Sequence, residues 1–418
     1  MKFIRVVLLF SIFCFSIFFA IKIYSTNGKT RELKADYIEL SMVKYGLFNV
    51  DEWKKVASTI ISKKINELNL KGADKEAMKS TISSFLYQEI DAFEKRFHQQ
   101  QQKSILGIVK SIGAEYLGAF EDIKKEIPNF TESILNFVDS KQSKEAIKEY
   151  VNDKLNEYSK ETFSELDYSL FNSILEKHKS TTKEEALLRI ETSINENQDS
   201  STSFKWGMIS IFILSSILLF ALKSPTKEEF LSYFFISFTF LAMGALMPMI
   251  ELDARISEMS FTLLHEEIKF TDQVLFYKSK SILEVVQLMM QNEKIEMILV
   301  GFLVILFSVL FPISKLIASV TYLYLPAFKN NKFLKFMAFK TGKWSMADVM
   351  VIAIFMSYLG FDGILSEQLH QIEGLTDNVN ILATNQSSLM FGFYSFLMFV
   401  IFSLLITQKL QNYITKKA

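Results

Sequence analysis

Six long apolar runs decide what this chain can become: Val6–Ile23, Phe204–Leu222, Phe230–Ile250, Met297–Leu325, Met346–Leu365 and Ser388–Thr407. A helix needs about 20 such residues to cross a bilayer. Inside lipid the backbone must satisfy its own hydrogen bonds, which leaves helices as the natural form for these runs. The expected fold class is therefore mostly α: a polytopic membrane protein with about six transmembrane helices. Lys2 and Arg5 precede the first run. It has the look of a cleaved signal peptide, but its apolar stretch is long and Ala20-Ile21-Lys22 is a poor cleavage site. An uncleaved anchor over residues 1–29 is the preferred reading.

The short loops orient the spans. Pro326–Lys343 carries Lys329, Lys332, Lys335, Lys340 and Lys343 and no acid, whereas Phe361–Ser388 has no Lys or Arg. Basic short loops stay in the cytoplasm. The first loop is expected inside and the second outside. Counting back puts both termini in the cytoplasm and Thr30–Ser203 outside. Trp206 reads as an interfacial anchor of the second run, and Pro312 as a kink in the overlong fourth.

Residues 30–203 form a water-soluble insert rich in Lys, Glu, Ser and Asn. Trp53, Val56, Ala57, Ile60, Ile61, Ile65 and Leu68 recur at helical spacing behind Asp51, a plausible N-cap. Ile147, Tyr150, Val151, Leu155 and Tyr158 make a similar face. Gly72 and Pro128 are expected to separate helices. An extracytoplasmic helical domain follows, serving as spacer, lid or docking surface. Residues 204–418 make a five-helix membrane module. Within it, Ser260–Leu264 and Ile268–Tyr277 of the external segment Glu251–Glu293 contain alternating and β-branched or aromatic residues, which predict a short β-hairpin or small sheet (a small β-rich external segment) and then an amphipathic helix near Ile282–Gln291.

Lys and Arg together number 46, as do Asp and Glu. That balance offers no basic surface for nucleic acid. The single cysteine, Cys14, and four scattered histidines leave no metal-ligand pattern. No cofactor is expected. No nucleophile–base pair or phosphate loop stands out, so an enzyme is not expected either.

Polar residues at membrane depth are the sharper clue, since an ionisable group there costs roughly 2.5–3.5 kcal/mol on insertion scales. Ser308 and Lys315 lie seven residues apart around Pro312, so two helical turns bring them to one face. Ser345 and Asp348, three apart, share a face at the start of the fifth span, and Ser403 lies in the sixth. The plain alternatives are that Lys315 snorkels to the basic loop and that Asp348 caps its helix. Lys343 suits a headgroup contact and Trp344 an interfacial belt. If Lys315 and Asp348 meet, the pair has the physics of a proton relay, with Asp348 as carrier.

Phe311-Pro312-x-x-Lys315, Lys343-Trp344-Ser345-Met346-x-Asp348-Val349 and Gly392-Phe393-Tyr394-x-Phe396 occur in one order along the chain. With Pro248 ending a span, these strings resemble one membrane module of the paraquat-inducible protein A family, from about Phe230 to the end. The resemblance implies an inner-membrane component of a phospholipid transport system in a Gram-negative envelope. It further implies membrane lipids and an MCE-type periplasmic tunnel protein as partners, with coupling to the proton gradient. By the same resemblance Ser308, Lys315, Ser345, Asp348 and Ser403 would form a polar network. The chain departs from the family in carrying one module, no Cys-x-x-Cys zinc ribbons and a large external insert. The alternative is a non-transporting envelope scaffold or stress-response protein whose external helices bind a partner.

Overall fold

A computed structural model describes residues 2–46, 167–221, 225–263, 266–325, 331–339, 347–373 and 379–415, with isolated helical residues between 79 and 153. The expected cap at Asp51, the apolar faces around Trp53–Leu68 and Ile147–Tyr158, and the break at Gly72 lie outside the described residues. Pro128 does not end a helix: Lys124 and Lys125 before it and Thr131 and Glu132 after it are helical. A proline removes one donor, a loss a helix survives.

Helix α1 (Lys2–Ser41) is unbroken over 40 residues, and so about 60 Å long. That is about twice the hydrocarbon thickness of a bilayer. After α2 (Ser169–Lys177), α3 (Lys183–Ala221) is nearly as long, at 39 residues. The two helices pack along their length. Their apolar halves meet where Gly207 lets Phe19 approach; a Cβ there would sit 2.6 Å from the ring. Their polar halves enclose a separate small core of Leu40, Ile174, Ala186, Ile190 and Ile194. Both helices run straight through positions 30 and 203. The charged residues beyond Lys22 include no proline to stop α1.

Helix α4 (Lys227–Leu246) is the buried centre of the membrane body. A capping box starts it: Thr226 Oγ1 accepts from Glu229 N, and Glu229 Oε2 accepts from Thr226 N at 2.7 Å. Phe230, Tyr233, Phe240 and Leu241 are buried against Phe396, Phe399 and Phe402 of α10 (Phe391–Thr415).

Strands β1 (Ile250–Leu263) and β2 (Glu266–Lys280) form an antiparallel hairpin longer than the short one expected, followed by α5 (Ile282–Met290) with its own capping box at Ser281. The fourth run divides into α6 (Ile295–Ile305), a π turn at Leu306–Leu310, and α7 (Phe311–Tyr324). Then come α8 (Lys332–Phe339) and α9 (Ala347–Glu373). Two strands were not anticipated. β3 (Val379–Asn385) and β4 (Ser388–Leu389) both pair antiparallel with β1, giving the order β2-β1-β3. The last run was expected to turn helical from Ser388. Instead Ser388 and Leu389 complete the sheet, and α10 begins at Phe391.

Among the described residues five helices are long and apolar enough to cross a membrane. The sixth expected span lies in α9, whose Val349–Ile364 stretch is apolar but shorter. The helical ends fall into two groups. Arg5 lies 3.2 Å from Glu229, and the rings of Phe230 and Tyr413 are 5.6 Å apart. Both termini therefore sit at one end of the body, and the sheet at the other.

Candidate polar site in the helical bundle

Pro312 shapes the centre of the site. It has no N–H to offer the carbonyl of Ser308, and its ring crowds that position. The helix widens there: the N–H of Phe311 reaches back five residues to Leu306 O. Such π turns often accompany functional sites. Ser308, in this turn, is fully buried, and its hydroxyl has no hydrogen-bond partner among the described residues.

Lys315 lies one turn beyond Pro312 and is only 5% exposed. It does not snorkel. Its Nζ donates to Ser403 Oγ at 3.0 Å, a contact between α7 and α10 that joins residues 88 apart in sequence. Ser319 Oγ donates to Lys315 O at 2.8 Å, and Thr407 Oγ1 to Ser403 O at 2.7 Å. Among the described residues no carboxylate pairs with this ammonium. A buried cation with one neutral partner costs stability.

The structure thus brings Lys315 and Ser403 together and buries Ser308 in the π turn ahead of Pro312. Asp348 stands in the first turn of α9, with its side chain outside the described residues, as are Lys343, Trp344 and Ser345.

A second polar cluster joins α1 to the sheet, and no sequence pattern announced it. Lys34 Nζ donates to Glu251 Oε1 at 2.5 Å, and Tyr277 Oη to Glu251 Oε2 at 3.1 Å. Arg255 grips Asp253 through two hydrogen bonds of 2.8 and 2.7 Å and lies over the Tyr37 ring at 5.4 Å. Arg31 reaches Glu284 on α5 at 2.7 Å. Burial, and then the Glu251 carboxylate, push the Tyr277 hydroxyl above its ordinary range. Burial also works to raise the Glu284 carboxyl, but hydrogen bonds from Arg31 and the Ser281 N–H outweigh it and hold the group below its usual value. Glu251, Asp253 and Arg255 alternate along one face of β1, and which helix they meet is a tertiary matter. Across the sheet, Asn385 Nδ2 donates to Asp362 Oδ1 at 2.8 Å and so fastens α9 to β3.

A model of the paraquat-inducible protein A family matches residues 271–370. That is about a quarter of the chain, from within β2 through most of α9. It includes Ser308, Pro312, Lys315, Lys343, Trp344, Ser345 and Asp348, while Ser403 lies beyond it. No curated protein and no solved structure matches the chain. Over residues 271–370 this multi-pass membrane protein is similar to the paraquat-inducible protein A family, the resemblance its motifs predicted.

Proposed function

We propose that the protein is an inner-membrane component of a phospholipid transport system in a Gram-negative envelope. The buried contact of Lys315 with Ser403, beside a π turn and mostly within the family-matched segment, carries this reading. A desolvated ammonium is suited to hold an anionic group or to bias a nearby carboxylate, and Asp348 is the proposed proton carrier. The external helices and the sheet would present lipid to an MCE-type partner outside the membrane. Gentle detergent purification, with mass spectrometry of proteins and lipids, tests the partner. Recovery of an MCE-type protein with phospholipid supports the proposal, and recovery of the chain alone and lipid-poor opposes it. Transport that ignores an uncoupler would remove the proton-linked part.

A scaffold that transports nothing is the second reading. It is favoured by one observation: α1 continues well past its apolar half and is pinned to the sheet by Lys34–Glu251 and to α5 by Arg31–Glu284. A rigid external post of this kind suits partner binding. The two readings separate at Lys315, whose replacement a scaffold tolerates.

A further inference from the structure

We infer that α8 is an interfacial helix that lies on the bilayer surface and takes anionic lipid headgroups. The inference is independent of any transport activity. The helix follows α7 after seven residues and precedes α9 by another seven. Seven extended residues reach at most about 25 Å, so α8 stays close to the membrane face on which α7 ends. That face is the one bearing both termini, since Lys227, at the start of α4, lies over the Tyr324 ring that closes α7. Asn331 starts the helix by accepting from the N–H of Phe333 at 2.9 Å.

The faces of α8 differ. Ala338 is buried and Leu334 half-buried, so that side is covered by protein. Phe333 is 70% exposed and Phe336 38% exposed, beside the exposed Lys332 and Lys335. Among the described residues neither lysine has an ion-pair partner, and the 326–343 stretch contains no acid but also holds Lys329, Lys340 and Lys343. Large rings at the acyl boundary with lysines at headgroup level are the pattern of a helix lying in the interface. Such lysines gain from anionic lipid.

Cys14 is the only cysteine, so Cys14→Ser gives a background for site-directed nitroxide labelling of the full chain. Single labels at Phe333→Cys, Phe336→Cys and Lys332→Cys are read by power saturation in vesicles, against oxygen, which concentrates in lipid, and a water-soluble nickel chelate. The expected result is oxygen preference at 333 and 336 and chelate preference at 332. Labels at 333 and 336 should sit deeper in phosphatidylglycerol-containing vesicles than in pure phosphatidylcholine, with the difference shrinking in high salt. Chelate preference at 333 and 336 would overturn the inference. Protection from both reagents would do so too, by showing a second copy or another protein on this face. Equal depth in both vesicle types would overturn the preference for anionic lipid.

Discussion

Lys315 Nζ donates to Ser403 Oγ at 3.0 Å across the α7–α10 interface, with both residues buried. One neutral hydroxyl is poor compensation for a desolvated ammonium. Lys315→Met keeps an unbranched side chain of similar length and removes the charge. It is expected to leave thermal stability unchanged or higher, as replacement of buried charges often does, while abolishing lipid-linked function. Thermal unfolding in detergent, paired with complementation, checks both halves.

Ser403→Ala leaves the same ammonium without this acceptor. Loss of a buried hydrogen bond to a charged group is expected to cost about 1–3 kcal/mol. The double variant with Lys315→Met should recover most of that loss. A double-mutant cycle of unfolding free energies measures the coupling.

Gly244 is a point of close approach between α4 and α10. A Cβ there would lie 2.8 Å from Phe396 Cα, and backbone cannot yield as a flexible side-chain tip can. Gly244→Ala is expected to cost about 1–3 kcal/mol by overpacking, read as a lower midpoint of thermal unfolding. Gly360, with nothing within 4 Å of an added Cβ, is the control.

The Arg31–Glu284 link carries a pH dependence of known sign. The folded carboxyl sits below its ordinary value, so its stabilisation is present above the unfolded pKa and is lost as pH falls through the folded one. Both side chains are about a third exposed, and solvent screening limits the pair to about 1 kcal/mol or less. Glu284→Gln should lower stability at neutral pH by up to about 1 kcal/mol and flatten the acid-side loss, so that variant and parent converge below the usual carboxylate range. Melting curves at stepped pH test this.

Much of this structure was legible as hydrophobic pattern. The apolar runs, the tip of the hairpin around Ser260–Tyr277 and the helix at Ile282 follow from local periodicity, and Lys315 stood out because a charge in an apolar run is costly. What escaped was non-local. Val379–Asn385 is a short strand whose partner, β1, lies more than a hundred residues earlier, so nothing nearby marked it. The strand pairing moved the start of the last helix to Phe391. Likewise α1 looked finished where its lysines began. Only the packing of Leu40 against Ala186 and Ile190 shows why the helix continues. Ser403, the partner of Lys315, belongs to the wider polar set that the motifs imply, but the π turn that places Ser308 shows in the sequence only as a kink at Pro312.

The most direct test of the central claim is the phospholipid retained by the purified full-length protein, quantified by mass spectrometry for the parent chain and for Lys315→Met at equal folded yield. The account predicts bound phospholipid on the parent and a marked loss on the variant. Equal retention by both proteins would contradict it.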